Sequence, residues 1–114
     1  MDLKSLYLGF EYCHLIRDKS IKLLSSAIQT LKQLKTLNLR LGGCNGVTDY
    51  SLSSLGSTFS KMPYLSTLTI NFEHCDDIEV NGVDLLLSGI KKAVSLESLN
   101  LNFRGCKDIK VVDA

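Results

Sequence analysis

The 114-residue chain has no tryptophan, a single proline (Pro63) and two histidines, His14 and His74. Without proline- or serine/glycine-rich stretches there is no linker at which to divide it, so one domain is expected over residues 1–114. Thirteen lysines and arginines against twelve acids leave a net charge of +1. A nucleic-acid partner or an anionic membrane would normally leave a basic bias, so neither is expected. Long apolar runs are missing too. The longest leucine run is Leu85–Leu87, far below the ~18 residues of a membrane-spanning helix. The start, Met-Asp-Leu-Lys-Ser, has no hydrophobic leader, so the expected location is cytoplasmic, and the four cysteines then sit in a reducing compartment.

What the chain does have is repetition. Leu3, Leu34, Leu65 and Leu96 recur every 31 residues, and so do Cys13, Cys44, Cys75 and Cys106. The units are 3–33, 34–64, 65–95 and a partial 96–114. A fixed period in this range, unbroken by gaps, predicts a repeat architecture. Each unit opens with alternating apolar residues: Leu6, Leu8, Phe10; Leu37, Leu39, Leu41; Leu68, Ile70, Phe72; Leu99, Leu101, Phe103. Period two marks a strand with one buried face.

The rest of each full unit changes period. Ile21, Leu24, Ile28 and Leu31 are spaced as one face of a helix, and Leu52–Leu55–Phe59–Met62 and Val83–Leu86–Ile90–Ala93 follow suit. Helices of about a dozen residues are expected, N-capped by Asp18, Asp49 and Asn81. Small residues follow at Ser20, Ser51 and Gly82, where the chain passes close to its neighbour. Pro63 is expected to end the second helix. Strands separated by helices should pair in parallel through right-handed crossovers.

The pattern L-x-x-L-x-L resembles the strand core of the leucine-rich-repeat family, over essentially the whole chain. Gly43–Leu55, G-C-N-G-V-T-D-Y-S-L-S-S-L, is similar to the cysteine-containing repeats of F-box-type proteins. The 31-residue unit and V-N-G-V-D-L-L (Val80–Leu86) are similar to the ribonuclease-inhibitor-like class. The chain departs from both by two extra residues before the cysteine, expected to lengthen the strand. The resemblance implies an α/β solenoid, a right-handed β-α superhelix with short parallel strands on the concave face and helices on the convex one. It also implies a buried cysteine supporting the turn that leaves each strand.

Chemistry is sparse. One cysteine per unit does not supply the short ligand spacings of a zinc site, so buried, reduced, unliganded thiols are expected and no cofactor or metal. His14 and His74 lie at different phases and form no catalytic set with serine and carboxylate. His74 with Asp76, Asp77 and Glu79 reads either as a weak cation site or as a solvated loop. Lys22, Ser26, Gln29, Ser53, Ser57, Lys61, Lys91 and Lys92 fall on outer helix faces. No enzyme activity is expected.

The polar residues alternating with the buried strand positions should face the concave side. Ser5, Thr36, Thr67 and Ser98 form one column. The candidate partner-binding residues are Tyr7, Glu11, Asn38, Arg40, Thr69, Asn71, Glu73, Asn100, Asn102 and Arg104, among which Tyr7 and the arginines are of hot-spot type. Four strands span roughly 15 Å and five residues roughly 17 Å, a face on the order of 250 Å². A stable interface needs about 800 Å² per partner.

Two functions remain open. One is a non-catalytic protein-interaction module or scaffold; the other is a structural fragment of a longer repeat protein whose binding surface lies in missing units. The chain starts two residues before Leu3 and stops at Ala114, in phase with Ile21, Leu52 and Val83. Uncapped ends are therefore expected, with Leu6, Leu8 and Ile28 open on one side and Ile109 and Val111 short of packing. Self-association through these ends is the corresponding expectation.

Overall fold

The alternation at the head of each unit forms a strand every time. The computed structural model describes residues 2–107 and Ile109. Its strands are β1 (Ser5–Gly9), β2 (Thr36–Arg40), β3 (Thr67–Asn71) and β4 (Ser98–Asn102), joined by helices α1 (Asp18–Gln29), α2 (Asp49–Phe59) and α3 (Val80–Ile90). The strands make one parallel sheet in chain order, and every residue pairs with the one 31 positions later, as in Leu6↔Leu37↔Leu68↔Leu99. This is an α/β fold with a four-stranded parallel sheet and three helices.

Burial follows the two periods. Leu37, Leu39, Leu68 and Ile70 from the strands join Ile21, Ile28, Leu52, Leu55, Phe59, Leu86 and Ile90 from the helices in one core. Each strand is five residues long, so the extra residues before the cysteine do not lengthen it. They continue the ladder into a turn instead: Phe10, Leu41 and Phe72 donate their N–H groups to Arg40, Asn71 and Asn102 carbonyls. Phe72 and Phe103 stack with ring centroids 5.1 Å apart.

The turn is sharp because one residue in each unit is left-handed. Tyr12, Gly43, His74 and Gly105 have φ of 56°, 74°, 58° and 75°. They lie 31 residues apart, ring alternating with glycine. A Cβ on Gly43 would overlap the Tyr12 ring, and one on Gly105 the His74 ring. Each ring thus occupies the space its in-phase glycine leaves.

The helix starts differ from expectation. The N-caps are Arg17, Thr48 and Glu79, one residue before Asp18 and Asp49 and two before Asn81. Asp18 and Asp49 occupy the first helical position, where a carboxylate still meets the positive end of the helix dipole. Their side chains reach onward to the next unit. Asp18 accepts from the Thr48 N–H (2.9 Å), the Thr48 hydroxyl (2.6 Å) and the Ser51 hydroxyl (2.5 Å). Asp49 accepts from the Glu79 N–H at 2.8 Å. Glycine at position 82, the phase-mate of Ser51, makes room, since a Cβ there would overlap the Asp49 carboxylate.

Pro63 does not end α2, which stops at Phe59 with Ser60 as C-cap; α1 and α3 stop nearby in phase without a proline. The core residues converge on the loop regardless, with Met62 and Leu65 buried on either side. The open-end expectation is corrected in two places. Ile28 is buried as part of the core, and Ile109 packs on that core. Leu6 and Leu8 are half-buried. Val111 lies outside the described residues.

Candidate partner-binding face

The parallel register lines up the polar strand residues on the sheet face opposite the helices. Tyr7, Asn38, Thr69 and Asn100 stand side by side across the four strands, and Gly9, Arg40, Asn71 and Asn102 form the next row. Glu11, Glu73 and Arg104 are not on strands; they stand on the turns just beyond. All ten expected residues reach this face or its rim, but their side chains are not equally available.

Tyr7 is open, with 67% of its surface exposed. Arg40 meets Glu11 at 2.6 Å, so the guanidinium of one unit is held by the carboxylate of the preceding one. Both partners remain substantially exposed, which limits the pair's worth to roughly 0–1 kcal/mol. Its effect is to fix the direction of a planar five-donor group at the rim. Arg104 is exposed; Glu73 is half-buried.

The asparagines divide by row. Asn71 and Asn102 accept from the Glu73 N–H (2.7 Å) and the Arg104 N–H (2.8 Å), each closing the turn after its strand. Their carbonyl oxygens are committed to the backbone, leaving the amide N–H donors. Asn38 is half-buried, and its Oδ1 is enclosed without a donor. Thr69 is half-buried beside it and Asn100 is exposed at the edge.

The cysteines sit just behind this rim. Cys44, Cys75 and Cys106 donate their thiols to the Phe10, Leu41 and Phe72 carbonyls at 3.0, 3.1 and 3.0 Å. Each ties its turn to the end of the preceding strand. Burial pushes all three thiols up, Cys75 to about 12, so they stay protonated donors at neutral pH. Cys13 is half-buried, which corrects the expectation that all four are buried; its strand β1 lies at the edge of the sheet. Among the described residues no group of three or more histidine, cysteine or carboxylate side chains converges on one point. His74 lies in its left-handed turn with the ring over Gly105.

Sequence reasoning missed Tyr12. It is 68% exposed at the rim, next to Glu11 and over Gly43. The signal was present as the ring/glycine alternation at 31-residue spacing. With Tyr7, Arg40 and Glu11 it makes one end of the face aromatic and charged, while the other end offers asparagine amides, Arg104 and the His74 ring.

Comparison with known proteins returns no matching family model, no matching curated protein and no matching solved structure.

Proposed function

We propose that this chain is a leucine-rich-repeat-type solenoid acting as a non-catalytic protein-interaction module. The observation that carries the reading is the in-register polar face, with exposed Tyr7 and the Glu11-oriented Arg40 at one end. Aromatic and arginine anchors of this kind dominate interface energetics. Short asparagine and threonine side chains across the remaining strands supply hydrogen-bonding capacity without bulk. The thiols, unpaired and bonded to carbonyls, support placing the module in a reducing, intracellular compartment. Proximity labelling in the native cell, comparing the wild type with Tyr7→Ala/Arg40→Ala, is the test. A set of proteins lost from the double variant, with its circular dichroism unchanged, is the expected result; identical labelling defeats the reading.

A second reading, that the chain is one section of a longer stack, is favoured by a separate observation. Leu99 is 43% exposed although its column-mates Leu37 and Leu68 are fully buried, and Leu85 and Leu87 of α3 are also open. Leu87 and Leu99 line one depression with Ile90, Asp84, Ser88 and Lys91. The small sheet face, on the order of 250 Å², fits a module whose surface is completed by neighbours, whether further units or a second copy.

A further inference from the structure

The overall charge of +1 conceals a segregation by edge. All helix-to-strand loops lie along one edge of the sheet, where Lys35 N donates to the Lys4 carbonyl, Ser66 N to Lys35 and Glu97 N to Ser66. Six exposed lysines gather there: Lys4, Lys32, Lys35, Lys61, Lys91 and Lys92. Against them stand only Asp2 and Glu97, a net of four positive charges, so the rest of the chain carries an excess of acid. The ion pair found among the described residues is Arg40–Glu11, on another face, so these lysines have no carboxylate partner there.

Some positive charge at helix C-termini is ordinary, because it offsets the helix dipole. Two features exceed that role. Lys32, Lys61 and Lys92 come from three successive units yet line a single depression of about 330 Å³, together with Ser60, Pro63 and Val94. Like charges brought together around one concavity repel unless an anion joins them. The second feature is apolar. Val94 projects at 90% exposure and Tyr64 at 52%, with exposed Pro63 between the lysines of neighbouring loops. The 31-residue register sets these loops in a row.

We propose that this loop edge is a docking surface for anionic phospholipid headgroups, with Lys32, Lys61 and Lys92 around a phosphate and Tyr64 and Val94 entering the interface. A folded acidic protein would satisfy the lysines but would need a shaped pocket for each protruding apolar tip. A headgroup layer takes both, since amphipathic rings and lysine stems favour that boundary. The surface is separate from the polar sheet face, so either can fail alone.

Flotation of the full chain with phosphatidylcholine vesicles, with and without phosphatidylserine, is the experiment. Binding is expected only with phosphatidylserine and should weaken as salt is raised. Each lysine contributes about fivefold in partitioning, so Lys61→Gln/Lys92→Gln should lose roughly 25-fold. Val94→Ser should also weaken binding, whereas Lys22→Gln on the outer face of α1 and Tyr7→Ala should not. Circular dichroism checks that each variant is folded. Equal binding to both vesicle types, binding to neither, or equal loss in Lys22→Gln overturns the proposal. Binding to soluble polyglutamate without binding to phosphatidylserine vesicles overturns it in favour of an acidic protein.

Discussion

At the scale of single residues, every strand is followed by a left-handed residue, and the chain leaving each of the first three strands is tied to the next unit by a thiol. Cys75 carries the clearest consequence. Its folded pKa of about 12 lies above the ordinary 9.0, because burial penalises the thiolate. A group whose pKa is raised on folding gives its full stabilisation below the unfolded value. That contribution is lost as pH climbs from 9 towards 12, at about 1.4 kcal/mol per pH unit. Urea melts between pH 7 and pH 11 should show this decline, and Cys75→Ala, already weaker at pH 7, should show less of it. Alkylation of the native protein near neutral pH should label half-buried Cys13 first, with Cys44, Cys75 and Cys106 following only on unfolding; mass spectrometry reads this directly. The left-handed column gives a second test. Gly43→Ala meets both a strained φ and the Tyr12 ring, and should cost about 2–3 kcal/mol. Adding Tyr12→Ala should return the steric part and leave about 1 kcal/mol of backbone strain. Simple additivity of the two would show that ring and glycine do not share the space.

Between elements, the notable device is the aspartate that links one helix start to the next. Burial alone would raise the Asp18 pKa, but the hydrogen bonds from Ser51 and Thr48 outweigh it and hold the carboxyl below its ordinary 3.8. Such a group stabilises above its unfolded pKa and loses that contribution as pH falls through the folded one. Asp18→Ala should therefore cost about 1–3 kcal/mol at pH 7, leaving the Thr48 N–H without its acceptor. The gap between variant and wild type should narrow as the pH is lowered past 3.8, which chemical denaturation at several pH values would reveal. The same aspartates show what was legible in the sequence. Strands and helices were readable because period two and the 3–4 spacing each demand one buried face, and Leu37, Leu39, Leu52 and Leu55 are fully buried accordingly. The caps were misread because an aspartate at the first helical position looks like a cap in sequence. Phase held the warning: Asn81 is 32 residues after Asp49, whereas the true mate is Val80. The polar face was legible through strand alternation. Which of its groups were already occupied was not, since the Asn71 and Asn102 turns and the Arg40–Glu11 pair depend on side-chain reach across a register.

For the whole molecule, one leucine column measures how far the core extends along the sheet. Leu6, Leu37, Leu68 and Leu99 are direct neighbours in register, so they differ in position and in little else. Leu37 and Leu68 are wholly buried, Leu6 is half-buried and Leu99 is 43% exposed. Deleting a buried leucine side chain costs about 2–5 kcal/mol, in proportion to the cavity left behind. An exposed one costs within roughly 0.5 kcal/mol. Leucine-to-alanine changes along the column should thus give a profile that is high at positions 37 and 68, intermediate at 6 and low at 99. Hydrogen exchange should rank the strands alike, with β2 and β3 slowest, since both have a paired strand on either side and β1 and β4 are the edges. The open end near Leu87 and Leu99 adds a solution consequence. If two copies cover it against each other, sedimentation should show association that rises with concentration and is removed by Leu99→Lys, a change that the exposed site tolerates without loss of fold. A monomer at every concentration, combined with a Leu99→Ala penalty as large as that of Leu68→Ala, would mean that this end is closed within the single chain.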